Sequence, residues 1–506
     1  MRAPQVAGAR NKAERELEIA KLTTAVVGTP ERVLHDEFVR AKQLAEAASV
    51  FCHAEVRYPL TGVGDVNTYA LFAETMYGLT SPQGRAGVVL PTGIVTDDST
   101  KLFFEASVSG GRLVRIAAYE NEELVFPSVH HAFKFCLITF SGARVHASAD
   151  LSFFARQPEQ IHDHRRHFRL SAEDFRLINP NTRTCPIFRS AEDAELTKQI
   201  HRRVPVLIDE TRPEAEGNPW GLSFMRMLDM ASDSGLFLNG CVPGAQPLYE
   251  AKMLHQFDHR WATYEPAPLG SRSAEARDVA VIEKSAAETV VRPRYWVDAR
   301  EVEDRLMARG WTRQWLVGWR DICRATDERT TIASVMPRVG VGHTTPLLLA
   351  DADAPAYACL LANLNALVLD YVARLKVGGT HLTYGYLKQF PVLAPDAYGS
   401  VQRDFIVRRV LELTYTAYDL IPWARDLGHD GPPFGWDPAR RAELRAELDA
   451  YYARLYGLTR AELRYVLDPA DVMGADYPSE TFRVLKQNEQ RVVCVTLCTS
   501  GRGQPA

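Results

Sequence analysis

Residues that could contact a nucleic acid lie in two stretches rich in arginine and tryptophan. Residues 292–298 read RPRYWVD, and residues 311–324 read WTRQWLVGWRDICR. Arginine side chains bind phosphate groups and aromatic rings stack on bases, so this mixture suits a nucleic-acid surface. An ordinary strand with one solvent-exposed face would have the same composition, and that alternative stays open. The candidate DNA-binding residues here are Arg294, Trp296, Arg320 and Arg324.

A third candidate stretch, residues 376–392, reads KVGGTHLTYGYLKQFPV. Its paired glycines allow a backbone to approach a ligand closely, and the surrounding lysine, threonine and tyrosine side chains offer hydrogen-bond donors. The alternative is a helix that ends at glycine before a second helix begins. The candidate DNA-binding residues in this stretch are Lys376, Gly378, Gly379, Thr380, Tyr384 and Lys388.

Motifs of catalysis and of metal or cofactor binding are absent from the sequence. It contains no glycine-rich cofactor loop after a strand, no Walker A lysine and no G-x-S-x-G turn. Asn-Pro-Trp-Gly at 218–221 is similar to the Asn-Pro-Pro-aromatic loop of amino-methyltransferases, but a structural turn is the interpretation we favour. HDHRRH at 162–167 is more typical of a basic loop than of a metal site. We therefore assign no catalytic, cofactor-binding or metal-binding residue.

Composition limits the class of protein. A chain of 506 residues with 46% hydrophobic and 24% charged residues predicts two to four globular domains. The net charge of −4 neither indicates nor excludes a nucleic-acid partner, because a total hides local patches. No apolar run is long enough to cross a membrane, and the N-terminus has no secretory signal. The eight cysteines form no C-x-x-C pair, so we expect reduced thiols in a cytoplasmic protein without a membrane partner.

Hydrophobic periodicity predicts an α/β region followed by a mixed region and a helical one. Helices are expected in the first fifty residues, at 66–79 and around 99–107, with a buried parallel strand at 86–94 and further strands at 113–120 and 133–140. This is half of a doubly wound α/β domain. Short strands are expected at 204–208, 295–298, 314–322 and 329–337, a linker at 265–290, one helix at 358–377 and amphipathic helices over 404–467.

A run of segments along most of the chain is more specific than any single motif. It includes YPLTGVGDVNTYALFAE (58–74), GRAGVVLPTGIVTDDSTKLFF (84–104), LVFPSVHHAFKFCLITF (124–140), NPWGLSFMRMLDMASDSGLF (218–237) and NALVLDYVARLKVGGTHLTYGYLKQFPVL (365–393). In content and order these segments resemble type II restriction–modification methylases, which join a nuclease, an adenine-N6 methyltransferase and a recognition domain.

The resemblance implies a division of the chain into five parts. The expected fold class is α/β, with a partial Rossmann-like methyltransferase sheet, a mixed α+β DNA-recognition domain and a helical C-terminal region. The expected parts are a helical insert at 1–54, the C-terminal half of the methyltransferase domain at 55–155, a target recognition domain at 156–395, a helical region at 396–490 and an atypical tail at 491–506.

The resemblance also implies a reaction and its partners. Such enzymes move a methyl group from S-adenosylmethionine to adenine N6 in double-stranded DNA, after flipping the base out of the duplex. Phe126, with Phe133 as runner-up, is the candidate for stacking on the flipped base. The cofactor and catalytic loops are expected on a separate chain or upstream segment, so this chain alone is expected to be inactive. The alternatives are a stand-alone DNA-specificity subunit and a non-functional remnant of a disrupted gene.

Overall fold

The computed structural model describes residues 3–9, 12–54, 56–64, 66–266, 275–377, 379–479, 481–482 and 484–486. They belong to two compact units, Met1–Ala149 and Asp150–Ala506, which we call unit 1 and unit 2. The chain is of mixed α/β composition, as expected. The finer division into five parts stays a prediction, and the predicted tail at 491–506 lies outside the described residues.

Helices and strands of unit 1 follow the predicted order closely. They are α1 (Pro4–Ala7), α2 (Lys12–Thr23), α3 (Pro30–His53), α4 (Thr68–Leu79), β1 (Arg85–Pro91), α5 (Gly93–Thr96), α6 (Lys101–Ser109), β2 (Leu113–Glu120) and β3 (Lys134–Ser141).

The strands of unit 1 lie in the order β1-β3-β2. β3 is antiparallel to both neighbours, so β1 and β2 run parallel to each other, and α5 and α6 lie between them in the chain. The predicted strands at 113–120 and 133–140 are confirmed. The strand predicted at 86–94 forms, but it is neither buried nor paired in parallel: β1 pairs antiparallel with β3, and alternate residues are exposed. Its valines therefore mark the two faces of an edge strand.

One face of this sheet is packed and the other is open to solvent. On the packed face, the Phe140 ring contacts Tyr77 of α4 at 5.3 Å and Phe103 of α6 at 5.7 Å between centroids. On the opposite face, Val89 and Leu137 are register partners, and they are 54% and 41% exposed. Alternation along a strand separates these two sets of residues.

The long helix α3 has a well-capped start, but its side chains are not buried. The hydroxyl of Thr29 accepts a hydrogen bond from the Arg32 N–H, and Pro30 occupies the first turn. No residue of α3 is buried in the described part of the chain. In α4, Ala73 is buried, whereas the neighbouring Phe72 is 61% exposed.

Unit 2 holds the remaining elements. Its helices are α7 (Ala172–Ile178), α8 (Ala191–Arg203), α9 (Glu214–Gly217), α10 (Val281–Lys284), α11 (Ala299–Met307), α12 (Ala354–Asn365), α13 (Leu367–Lys376), α14 (Tyr384–Lys388), α15 (Ser400–Thr414), α16 (Ile421–Asp426), α17 (Pro438–Leu455), α18 (Arg460–Leu467) and α19 (Pro469–Met473). Its strands are β4 (Ser148–Ala155), β5 (Phe168–Ser171), β6 (Ser223–Met225), β7 (Ala245–Tyr249), β8 (Ala262–Thr263), β9 (Arg277–Asp278), β10 (Tyr295–Asp298), β11 (Trp315–Trp319), β12 (Ala333–Pro337), β13 (Gly340–Val341) and β14 (Leu347–Leu349).

Two small sheets form the framework of unit 2, with strand orders β12-β11-β14-β6 and β10-β7-β13. Every residue of β11 is buried, and the Trp315 indole N–H donates to an Asp426 carboxylate oxygen at 2.7 Å. The strand predictions at 295–298, 314–322 and 329–337 are confirmed as β10, β11 and β12. The prediction at 204–208 was wrong: the segment is not a strand, although an isolated bridge from Val206 to Pro391 and three backbone hydrogen bonds join it to residues 388–392.

The helix predicted at 358–377 is two helices, α12 and α13, bent by 55°. At the break the Leu367 N–H donates to an Asp449 carboxylate oxygen at 2.7 Å. The Asn365 side chain accepts a hydrogen bond from the Ala333 N–H and donates one to the Ala333 carbonyl, both at 2.9 Å. A continuous helix would have paired the Leu367 N–H internally, and Asp449 takes the place of that partner, whereas Asn365 pairs backbone groups of β12. Among the described residues, no single helix is long and apolar enough to cross a membrane; only this bent pair, taken together and buried inside unit 2, reaches that length.

The predicted linker at 265–290 is partly packed structure. Within it, Lys284 at the end of α10 is 4% exposed and forms an ion pair with Asp258 at 2.6 Å. Residues 267–274 lie outside the described residues. The prediction was wrong for α10, because its Lys284 side chain forms a buried ion pair and is not solvated.

Candidate nucleic-acid interface

Two of the three candidate stretches meet in unit 2. The segment that follows β11 pairs with the segment that precedes α14: the Cys323 N–H donates to the Thr380 carbonyl at 3.1 Å and the Leu382 N–H to the Asp321 carbonyl at 2.6 Å. The Trp319 indole N–H also donates to the Leu382 carbonyl at 2.9 Å. Stretches sixty residues apart in sequence thus form one surface. We call it the Tyr384 surface, and it comprises Phe224, Arg226 and residues 321–324 and 379–388.

Aromatic rings give the Tyr384 surface its shape. The Tyr384 ring lies 5.1 Å from Phe224 and 5.6 Å from the buried Trp319, measured between centroids. The Arg226 guanidinium stands 5.3 Å from the centre of the Tyr384 ring, within cation–π range. Partial burial raises the pKa of Tyr384, so its hydroxyl stays protonated and can donate a hydrogen bond. The arrangement places an aromatic face beside an exposed cation.

Phe224 and Arg226 are members of this surface that the sequence analysis did not select. Phe224 belongs to β6, Arg226 directly follows that strand, and their i, i+2 spacing places both side chains on one face of it. Phe224 is half-buried, whereas Arg226 is exposed. A Phe-x-Arg pair after the Asn-Pro-Trp-Gly turn was the available signal. The sequence alone could not assign this pair to the surface, because it does not show that β6 lies in the same sheet as β11.

The rim of the surface holds several of the predicted residues. Arg324, Gly379 and Thr380 are exposed, while Gly378 lies outside the described residues. His381 is also exposed, and its ring contacts the buried Asp321 carboxylate at 3.2 Å. A side chain at Gly379 would meet no atom within 4 Å, so open space surrounds this turn.

Lys388 reaches the surface but is paired there. Its ammonium donates to a Glu210 carboxylate oxygen at 2.5 Å and lies 5.9 Å from the centre of the Phe224 ring. Both side chains are partly exposed, so the pair is weak in free energy. Lys388 can contact a phosphate only where Glu210 gives up this contact.

The prediction that Lys376 contacts DNA was wrong. The side chain is buried, and its ammonium donates to the carbonyls of Ile178 and Gln389, both at 2.6 Å. Burial lowers the pKa of Lys376 well below its usual value. The glycine turn that follows made Lys376 a candidate, but α13 directs its side chain into the protein. There the side chain links α13 to the backbone at Ile178 and at Gln389.

The prediction for Trp296 was also wrong, because Trp296 in β10 is 6% exposed and no base can stack on it. Arg320 is half-buried near His255, and burial lowers the pKa of Arg320. Its contact with DNA stays a prediction. Arg294 is half-buried with its guanidinium 5.4 Å from the centre of the Tyr295 ring, away from the β11 sheet. β10 buries the consecutive residues Trp296 and Val297, so Trp296 does not lie on a solvent-exposed face of the strand.

In unit 1, both candidate stacking residues lie in one exposed loop. Phe126 is 41% and Phe133 is 64% exposed. The buried Asn121 side chain holds this loop: its amide N–H donates to the carbonyls of Phe126 at 3.1 Å and Val129 at 3.0 Å, and its oxygen accepts from the Phe126 N–H at 2.9 Å. Phe126 packs edge-on against Phe135 at 4.9 Å. Asn121, which sequence analysis missed, thus presents Phe126 in a fixed position.

The turn after β1 offers no glycine-lined space for a cofactor. The glycine that follows β1, Gly93, is enclosed: a Cβ there would lie 2.3 Å from an Asp97 carboxylate oxygen and 3.0 Å from the Tyr69 hydroxyl. Space next to such a glycine is what a cofactor would need, and the chain itself fills it. After β2 the chain turns through Asn121 rather than through a glycine-rich loop.

Asn218 acts as a turn residue, as we favoured from the sequence. Its amide oxygen accepts from the Leu222 N–H at 2.9 Å, and its amide N–H donates to the Leu222 carbonyl at 2.9 Å. Gly221 adopts the left-handed conformation that the turn requires, with φ of 58°. The Asn218 amide is therefore fully engaged within its own turn.

Comparisons with known proteins return structural neighbours only. No protein-family model and no curated protein matches the chain. The chain is similar to the type IIG restriction endonuclease BpuSI (TM-score 0.28, 13% identity, 79% of this chain and 50% of that one). It is also similar to the type IIL restriction-modification enzyme MmeI in complex with DNA (TM-score 0.39, 11% identity, 83% of this chain and 52% of that one). Both neighbours are restriction-modification enzymes, and the chain spans about half the length of each. TM-scores this low do not establish a common fold.

Proposed function

We propose that this chain reads double-stranded DNA within a restriction–modification or related phage-defence system, as the recognition part of a site-specific adenine-N6 methyltransferase. The observation that supports the proposal is the Tyr384 surface. It brings Tyr384 together with Phe224 and Arg226, which come from a second, distant segment, beside an open turn at Gly379. Aromatic faces and an exposed arginine on one surface are what contact with bases and phosphates requires.

The methyl-transfer step is assigned to a complex rather than to this chain alone. S-adenosylmethionine would supply the methyl group, and we assign its site to a further polypeptide segment. The edge strand β1 offers a place for a further polypeptide segment, since β3 is its only neighbour in the described part of unit 1. Val89 and Leu137 expose an apolar sheet face beside that edge. A partner carrying the cofactor and catalytic loops would pair with β1 and cover these side chains.

Duplex binding at several salt concentrations tests the recognition role. The wild-type chain is expected to bind with an affinity that falls linearly with salt on logarithmic axes. Arg226→Ala is expected to weaken binding and to reduce the salt slope by about 1. Arg408→Ala is the matched control, since Arg408 is exposed and bonds Asp404 on its own helix, α15. Salt-independent binding, or equal effects of the two variants, would contradict the proposal.

A second variant tests stacking separately from charge. Tyr384→Leu keeps apolar contact with Trp319 and Phe224 but removes the ring and its hydroxyl. The loss of a stacked base is worth about 1–3 kcal/mol, with the salt slope unchanged. Unaltered affinity in a variant whose melting temperature matches the wild type would remove Tyr384 from the interface.

Incorporation of labelled methyl groups tests the enzymatic part. We expect no signal from this chain alone and signal when a polypeptide with the cofactor and catalytic loops is added. Double variants Val89→Ser/Leu137→Ser should reduce that recovered signal while leaving duplex binding unchanged. Methyl transfer by the chain alone would overturn the division of labour proposed here.

A further inference from the structure

A small pocket in unit 2 concentrates cations around two tryptophans. It has a volume of about 270 Å³, and its lining includes three cations, Lys284, Arg441 and Arg445, two carboxylates, Asp258 and Asp278, and the rings of His255, Trp261 and Trp436. The volume is below the usual range of roughly 300–1,000 Å³ for drug-sized ligands. The pocket therefore suits a compact group rather than an extended molecule.

Two of the cations are held in place by the protein. The Lys284 ammonium pairs with Asp258 at 2.6 Å and stands 4.4 Å from the centre of the Trp436 ring. The Arg441 guanidinium lies 3.8 Å from the same ring and donates to the carbonyls of Leu413 and Phe257. Lys284 pairs with the Asp258 carboxylate, which also attracts Arg441. The other carboxylate in the lining, Asp278, is exposed to solvent.

Arg445 has no such partner. It lies four residues after Arg441 on α17, so the two side chains share one face of the helix and enter the same pocket. Within the described part of the chain, Arg445 makes no hydrogen bond or ion pair, and burial lowers its pKa. His255, whose pKa burial lowers to about 3, is neutral and adds a polar ring without charge. The carboxylates of Asp449, Glu328 and Asp258 lie close enough to oppose that lowering of the Arg445 pKa, but within the described part of the chain none of them forms an ion pair with it, so its N–H donors are available to an anion.

We propose that this pocket binds a phosphate group, held by Arg445 and Arg441. A guanidinium presents parallel N–H donors that match two phosphate oxygens, and partial burial strengthens the attraction. The phosphate comes from one of two sources, the DNA backbone or a free nucleotide. The proposal rests on the pocket alone and does not depend on the Tyr384 surface.

Thermal protection by inorganic phosphate is the direct test, with potassium chloride at equal ionic strength as the reference. The full chain is expected to show saturable protection that Arg445→Gln weakens about tenfold or more, as for the loss of a charge-assisted contact. Arg454→Gln is the matched control, since Arg454 is an exposed residue of the same helix. No saturable protection of the wild type, or equal loss in both variants, would overturn the proposal.

A conservative variant separates binding from folding. Arg445→Lys retains a charge in the same position and is expected to bind phosphate with an affinity between those of the wild type and Arg445→Gln. Equal binding by the lysine and glutamine variants, with unchanged circular dichroism, would exclude a role for the charge at this position.

Duplex DNA and deoxyadenosine monophosphate distinguish the two sources. A lower duplex affinity and a salt slope reduced by about 1 in Arg445→Gln, but not in Arg454→Gln, would assign the phosphate to the DNA backbone. Unchanged duplex binding, with protection by the nucleotide in the wild type but not in Arg445→Gln, would assign it to a free ligand. Absence of both effects, together with absence of inorganic phosphate binding, would overturn the proposal.

Discussion

Unit 1 and unit 2 form strands and helices equally well but bury them to different extents. In unit 1, β1 exposes every second residue and the 24-residue helix α3 buries none. In unit 2, every residue of β11 is buried, and so is nearly every residue of α12. Local sequence pattern is enough to form an element, whereas burial requires a second layer to pack on it. Exposed apolar residues of unit 1 mark where a further layer would fit.

The largest expected contrast is between a core residue of unit 2 and an exposed residue of unit 1. Trp315→Ala removes a fully buried ring that contacts Trp423 and bonds Asp426, and we expect a loss of about 3–5 kcal/mol in the free energy of unfolding. Val89→Ala should change it by about 0.5 kcal/mol or less. Denaturant titration followed by circular dichroism measures both. Equal losses would mean that Val89 is covered in solution.

Lys376→Ala tests the corrected role of this residue. Removing the amine leaves the carbonyls of Ile178 and Gln389 without a donor, at a cost of about 1–3 kcal/mol each. The salt dependence of DNA binding should not change. The pKa of Lys376 is lowered in the folded chain. At pH values between this lowered pKa and 10.5, the unfolded chain therefore binds more protons than the folded chain. Stability of the wild type relative to Lys376→Met should therefore rise with pH across this window.

The reactivity of two buried cysteines allows the local stability of the two units to be compared. Cys136 in unit 1 and Cys359 in unit 2 are both fully buried, and burial raises the pKa of each thiol to about 12. Neither should react with a thiol reagent at neutral pH in the native state. With rising urea, Cys136 should become reactive first, because its sheet is packed on one face only. Mass spectrometry of the labelled peptides identifies the order, and earlier labelling of Cys359 would contradict it.

The smallest expected effect on binding concerns Phe126. Phe126→Ala should leave duplex affinity nearly unchanged in the completed methyltransferase, because the residue is proposed to stack only on a flipped base. Fluorescence of 2-aminopurine at the target position should change in this variant, since it reports unstacking. Asn121→Ala, which releases the loop that holds Phe126, should have the same effect. Fluorescence identical to the wild type in both variants would argue against the stacking role.

Several elements could be predicted because their signals are local. β2, β3, β10 and the helix start at Thr29 follow from alternation, apolar content and capping. Errors arose where one residue faces inward or outward depending on a distant neighbour. Lys376 and Trp296 have types suited to DNA contact, yet both point into the protein. Phe224 and Arg226 could be found only after the sheet order was known.

The sequence by itself determined the element types, the lack of a glycine-rich cofactor loop and the resemblance to restriction–modification methylases. Only the tertiary structure decided which arginine and aromatic residues meet at Tyr384, and that Lys376 and Trp296 do not. It also decided that Arg441 and Arg445 converge on Lys284 in one pocket. The physical reason is that side-chain direction depends on the pairing of strands and helices far apart in the chain, whereas propensity and periodicity act within a few residues.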